Sequence, residues 1–188
     1  MKNKTTNIYQ LTITAMMAAI LCILGPIVIP LPFSPVPLSL STFAIYLAVY
    51  VLGAKWGTIS YAIYYLLGLA GLPVFSGFSG GVGKAAGPTG GYMIGFFFMA
   101  ILSGFIIDRY RNRRVLCIAG MLGGMIVTDL FGTVWLSYQM NLSFWEGFSF
   151  GTLPYLIGDV LKIAAAALVG PVLHKALNRM QSSRLTSL

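Results

Sequence analysis

The sequence predicts an all-α, polytopic membrane protein with six transmembrane helices in a single domain covering residues 1–188. Three observations predict it. Apolar residues make up 57% of the chain and charged residues 9%, where soluble domains carry about 25% charged residues. Six apolar stretches recur, each near the ~20 residues that cross a bilayer. Ten of the twelve basic residues fall on one side of the resulting six-span arrangement.

The first span covers 8–29. Lys2 and Lys4 precede it, without the short apolar region and small-residue cleavage site of a signal peptide. The connection after it, 29–37, carries Pro30, Pro32, Pro35 and Pro37. Proline fixes φ and extends the chain, which makes this connection a stiff wall beside a site or a rigid turn. Spans two and three cover 38–53 and 56–72. Only Ala54 and Lys55 separate them, and both are short, so tilting or kinking is expected.

The segment 73–91 then breaks the apolar pattern. Seven of the chain's 22 glycines lie between Gly77 and Gly91, and Pro73 and Pro88 interrupt any helix. Irregular backbone beside a bilayer is tolerated where it is buried in protein, lines a cavity or meets water. A flexible connector is one reading. Backbone folded closely about a ligand is the other, and Phe75, Phe78 and Tyr92 favour it, being poor linker residues but good ring contacts. Spans four to six cover 92–107, 115–138 and 151–177. The spacings Gly91/Gly95 and Gly120/Gly124 suit close helix contact.

Charge sets the expected orientation. Lys2, Lys4, Lys55, Arg109, Arg111, Arg113, Arg114, Lys175, Arg179 and Arg184 share one side. The positive-inside rule puts that side, and both termini, in the cytoplasm and the glycine loop outside. The net charge of +8 is thereby a topology signal with a bonus of anionic lipid contact, and no nucleic-acid partner is needed.

Four acidic residues exist. Asp108 borders the basic cytoplasmic loop, Glu146 lies in the last outer loop, and both are expected to be solvated. Asp129, Asp159 and Lys162 fall inside spans, where charges are costly and face a cavity or one another. Asp159 and Lys162 are three apart on one helix face. Counted from Gly151 they lie about 12 and 16 Å deep, and Asp129 reaches a similar depth on the preceding antiparallel helix. An internal salt bridge that aids folding is the alternative to a ligand site. Several chemistries are absent. A phosphate-binding loop ending at Lys84 needs Gly where Phe78 stands and Ser or Thr where Ala85 stands. His174 lies at the cytoplasmic end, Cys22 and Cys117 have no nearby ligand partner, and neither a metal cluster nor a nucleophilic triad can be drawn. No enzyme is expected.

The run Gly71-Leu72-Pro73-Val74-Phe75, Gly80-Gly81-Val82-Gly83, Gly87-Pro88-Thr89-Gly90-Gly91-Tyr92 and Gly95-Phe96 resembles the signature of the BioY family, the biotin-binding S components of energy-coupling factor (ECF) transporters. Gly158-Asp159-Val160-Leu161-Lys162 is similar to that family's last-helix motif, and the Pro35-Val36-Pro37 loop fits as well. The resemblance implies capture of biotin from outside the cell, with biotin as ligand and no cofactor. It also implies a shared module of one transmembrane coupling protein and two ABC-type ATPases, docked through Ala15 and Ala19, which match an AxxxA pattern. The candidate ligand-binding set is Asp159, Lys162, Tyr155, Gly80, Gly81, Gly83, Phe75, Tyr92, Val36 and Asp129. An ion-coupled secondary transporter of a small carboxylate-bearing vitamin, with Asp129 and Asp159 as coupling groups, is the alternative. Small size and the lack of two matching discontinuous helices argue against it.

Overall fold

Backbone N–H and C=O groups inside a bilayer have no water to bond, so each apolar stretch satisfies them within itself as a helix. The structure, a computed structural model, describes residues 4–30, 32, 34 and 36–186; Lys2, Leu31, Phe33 and Pro35 lie outside the described residues. The helices are α1 (Lys4–Leu24), α2 (Ser41–Leu69), α3 (Val82–Ala86), α4 (Gly90–Tyr110), α5 (Arg114–Met140), α6 (Phe144–Gly151) and α7 (Leu156–Thr186). A two-residue antiparallel ribbon, β1 (Val28–Ile29) with β2 (Leu38–Ser39), closes the proline-rich connection. Among the described residues, Ser41–Leu69, Gly90–Tyr110, Arg114–Met140 and Phe144–Leu177 are long and apolar enough to cross a membrane, and Ile8–Leu24 is a shorter apolar helix. The chain is an all-α, multi-pass membrane protein.

The expected second and third spans form one element, α2, that reverses at Gly53. The backbone there has φ +79° and ψ −179°, a region open essentially to glycine alone. Ser41 and Tyr64 line one cavity although 23 positions apart; on a straight helix they would stand about 35 Å from each other. Gly57 lies so close to the returning arm that a Cβ there would meet the Val49 Cα at 2.8 Å. The joint is thus Gly53, not Ala54-Lys55, because only glycine takes the dihedral that turns the chain.

Asp108 clamps that turn and is not merely solvated, as its place beside a loop had suggested. Its carboxylate accepts from the Ala54 N–H and from Arg111, each at 2.8 Å. A Cβ at position 53 would stand 2.6 Å from the Asp108 Oδ1. Gly53→Val is therefore expected to lower stability by about 1–3 kcal/mol from backbone strain, before any loss of the clamp. Thermal unfolding in detergent reads this, and an unchanged melting temperature would contradict it.

Helices α4 and α5 touch through their small residues. A Cβ at Gly95 would lie 2.9 Å from the Thr128 Cα, and one at Gly91 would collide with Trp135. The Thr128 hydroxyl donates to the Gly95 carbonyl at 3.1 Å across this contact. The expected role of the Gly91/Gly95 spacing is what the backbones use to approach.

The sixth expected span, 151–177, is helix α7 only from Leu156 onward, with a separate helix and a turn ahead of it. Short α6 comes first, opened by a capping box in which the Ser143 N–H donates to the Glu146 carboxylate at 2.8 Å. Glu146, expected in a loop, therefore sits in a helix, though it remains exposed. A 3-10 turn with Pro154, Leu153–Tyr155, follows, and α7 begins at Leu156. Proline supplies no N–H for a continuous helix. Counted from Leu156, Asp159 and Lys162 lie about 5 and 9 Å along α7, shallower than a span from Gly151 implied.

The glycine loop is folded down onto the bundle. The Gly81 N–H donates to the Gly68 carbonyl at 2.7 Å. Trp135 Nε1 and Gln139 Nε2, one turn apart on α5, donate to the Gly87 and Ala86 carbonyls at 2.9 and 2.6 Å. Those bonds satisfy carbonyls that a connector would leave to water.

Candidate functional site

Two adjacent cavities, here called the first and second lobe, share Val36, Pro37, Ser39, Tyr92 and Phe96 as common walls. The β1–β2 ribbon brings Val36, Pro37 and Ser39 over the helix ends. Its position is held by Tyr155, whose hydroxyl donates to the Val36 carbonyl. Tyr92, in the first turn of α4, donates from its hydroxyl to the Gly151 carbonyl at 2.8 Å. Thr133 and Thr152 join side chains at 2.8 Å beside it. These bonds tie α4, α5 and the turn before α7 into one rim.

The first lobe holds the charges. Lys162 Nζ and Asp159 Oδ1 are 2.8 Å apart, with side chains 11% and 12% exposed. Asp159 lies in the first turn of α7, where the helix dipole favours a carboxylate. Asp129, from α5, faces the same lobe with Thr42, Tyr46, Thr128, Met99 and Met125. Tyr46 is anchored by donating to the Met121 carbonyl at 3.1 Å. One ammonium thus stands among two carboxylates on an otherwise apolar and aromatic wall.

The second lobe carries hydroxyls and rings. Ser41, Ser76 and Thr89 line it with Tyr61, Tyr64 and Met93. Tyr61 donates to the Met93 carbonyl at 2.7 Å and meets Phe97 edge-on at 4.7 Å between ring centroids. Such offset and edge contacts fix ring orientation. Apolar walls with a few placed polar groups are the usual form of a small-molecule site. Among the described residues no group of three or more His, Cys, Asp or Glu is placed to hold a metal.

A model of the BioY family matches residues 1–179. The chain belongs to the BioY family. The biotin transporter BioY of Rhizobium etli is 37% identical over 170 residues, covering 86% of this chain and 90% of the relative. That of Thermotoga maritima is 37% identical over 147 residues, covering 78% and 86%. The crystal structure of the S-component for biotin from an ECF-type ABC transporter matches with a TM-score of 0.87 at 32% identity, over 93% of this chain and 95% of that one.

In this BioY-family chain, six of the ten residues singled out for ligand contact come together: Val36, Tyr92, Asp129, Tyr155, Asp159 and Lys162 all line the first lobe. Phe75, Gly80, Gly81 and Gly83 line neither lobe. Phe75 is fully buried and is wedged between Tyr64 and Tyr65, with centroids 5.7 and 5.9 Å away. Gly80 leaves room for the Leu72 carbonyl, 2.3 Å from where a Cβ would be. Gly81 takes φ +87° to start α3, and Gly83 faces open space. Gly80 and Gly81 thus serve the closure of the loop, whereas Gly83 has neither a close contact nor a positive φ.

Sequence reasoning passed over Thr42, Tyr46 and Thr128, which sit in ordinary apolar helix, and named Phe96 only within the family signature. The run Ser39-Leu40-Ser41-Thr42 was the one readable signal, a cluster of hydroxyls at the start of an apolar span. Ala15 and Ala19 are far from these lobes in role: both are exposed on α1, whose opposite face buries Ile13, Met17, Ala18 and Leu21.

Proposed function

We propose that this protein is the membrane subunit that captures biotin for ATP-driven uptake by an ECF-type ABC transporter. It is a substrate-binding subunit and not an enzyme. The observation that carries the reading is the Asp159–Lys162 pair lining a cavity in a chain of the BioY family. Biotin has a neutral ureido ring with N–H donors and a carbonyl, and a carboxylate at the end of an aliphatic chain. The first lobe carries two carboxylates against one ammonium, a setting that disfavours a further anion. The ureido ring therefore belongs there, with Asp159 accepting from an N–H and Lys162 donating to the ureido oxygen.

The finer topology follows from the same reading. Six crossings result if the two arms of α2, 41–52 and 54–69, each cross once and α1 crosses despite its length. The basic side then faces the cytoplasm with both termini, and the cavity opens outward. The whole chain acts as one domain. Its partners are a transmembrane coupling protein and two ATPases, met at Ala15 and Ala19.

Two measurements test this. Purified protein titrated with biotin by calorimetry is expected to bind one equivalent. Uptake in cells is expected to need the co-expressed coupling module and ATP, and to survive an uncoupler. No heat with biotin would overturn the ligand, and uptake collapsed by the uncoupler would favour the ion-coupled alternative.

A further inference from the structure

Thr42 and Thr89 have buried hydroxyls with no hydrogen-bond partner. Each faces a different lobe of the site: Thr42 the charged lobe and Thr89 the hydroxyl-lined one. Thr89 is 7% exposed. A buried hydroxyl left unpaired costs free energy, and a threonine inside a helix can escape that by bonding the carbonyl four residues back. Thr128, in the same cavity, does so, donating to Gly124 at 3.1 Å as well as to Gly95. Thr42, in the first turn of α2, and Thr89, just before α4, have no helical turn behind them to offer such a carbonyl, and Thr89 makes no capping bond to α4 either. In native proteins each such exception calls for an account.

We infer that Thr42 and Thr89 are specificity-determining contacts, one at each end of a ligand that spans both lobes. The inference rests on the biotin reading and deepens it. Tyr92 and Phe96 line both lobes, so a ligand that reaches both hydroxyls passes an aromatic wall, which suits a molecule polar at each end and apolar between. Thr42 shares its lobe with Asp159 and Lys162 and completes the hydrogen bonds of the ureido ring. Thr89 lies immediately before α4 and shares its lobe with Ser41 and Ser76 and with no acidic side chain. It donates to the group at the far end, the carboxylate. A hydroxyl bonded to an ionised group contributes more than one bonded to a neutral group.

The test uses Thr42→Val and Thr89→Val, which keep shape and remove the hydroxyl, with Thr42→Ser and Thr89→Ser as rescues. Each folded variant is titrated with biotin and with biotin amide, whose chain ends in a neutral group, and its ligand-free melting temperature is measured. Thr42→Val is expected to weaken both ligands by about fivefold. Thr89→Val is expected to weaken biotin by about tenfold and the amide by less. Both Ser variants should bind as the parent does, and neither Val variant should melt lower, since an unpaired hydroxyl holds nothing in the free protein.

A Val variant that binds biotin like the parent removes that residue from the site. A Val variant that melts lower and binds in proportion to its folded fraction makes the hydroxyl structural, which also overturns the inference. Failure of the parent itself to bind biotin overturns the ligand assignment and this inference with it. Parent binding with unchanged variants overturns only the latter.

Discussion

Lys162→Met and Asp159→Asn are each expected to weaken biotin binding by about ten- to hundredfold, the loss of one charge-assisted hydrogen bond to a buried ligand. The pair is 2.8 Å apart and nearly closed off from solvent, so each substitution also strands the other charge in a low dielectric. Stranding one member of a buried pair destabilises strongly, whereas replacing both with apolar residues of similar volume is often neutral. That difference separates binding from packing. The double variant Asp159→Leu/Lys162→Met should recover the stability lost by the single variants while leaving biotin unbound. Titration and thermal unfolding of monodisperse protein in detergent give both readouts. If the double variant regains binding together with stability, the pair is a packing salt bridge and the ureido ring lies elsewhere.

Ala15→Trp and Ala19→Trp are each expected to abolish ATP-driven uptake and to leave biotin binding unchanged. Both alanines are exposed, four apart, on the face of α1 that the bundle does not use. Leu11, Met16 and Ile23 share that outward face, so it is apolar with two small steps in it. Small residues let helix backbones approach in a membrane, where apolar burial offers little drive of its own. An indole at either step would hold a partner helix off by several ångströms. Neither residue lines the cavity, which is why binding should persist. Uptake in cells expressing the complete transporter, beside titration of the isolated subunit, reads the two effects separately. Normal uptake by variants that still assemble with the partner would remove the docking role.

How legible each feature is in the sequence depends on the physics behind it. Apolar length and charge asymmetry act locally along the chain, so the helical spans stand out from the order of residues alone. The rarity of charge in a bilayer makes Asp129, Asp159 and Lys162 conspicuous, and all three line the site. Glycine density locates the loop, where Gly81 is needed for its backbone dihedral and Gly80 for the close approach of the Leu72 carbonyl. The breaks at Gly53 and Pro154 are present as residues but carry no unique meaning, because a glycine or proline in an apolar run kinks, caps or passes unnoticed according to its neighbours.

By itself the sequence determined that this protein is helical, lies in a membrane, and holds a carboxylate and an ammonium on one face of its last helix. Those properties follow from composition and from spacing along a helix of known pitch. Only the tertiary structure decided which side chains meet. It folded α2 back at Gly53 so that Ser41 and Tyr64 share a cavity, and set Asp129 opposite the α7 pair. It turned Phe75 into the core and left the hydroxyls of Thr42 and Thr89 unpaired at the walls. The reason is physical: an unpaired hydroxyl is a relation between a group and everything around it, and no local pattern encodes what the rest of the chain fails to place within reach.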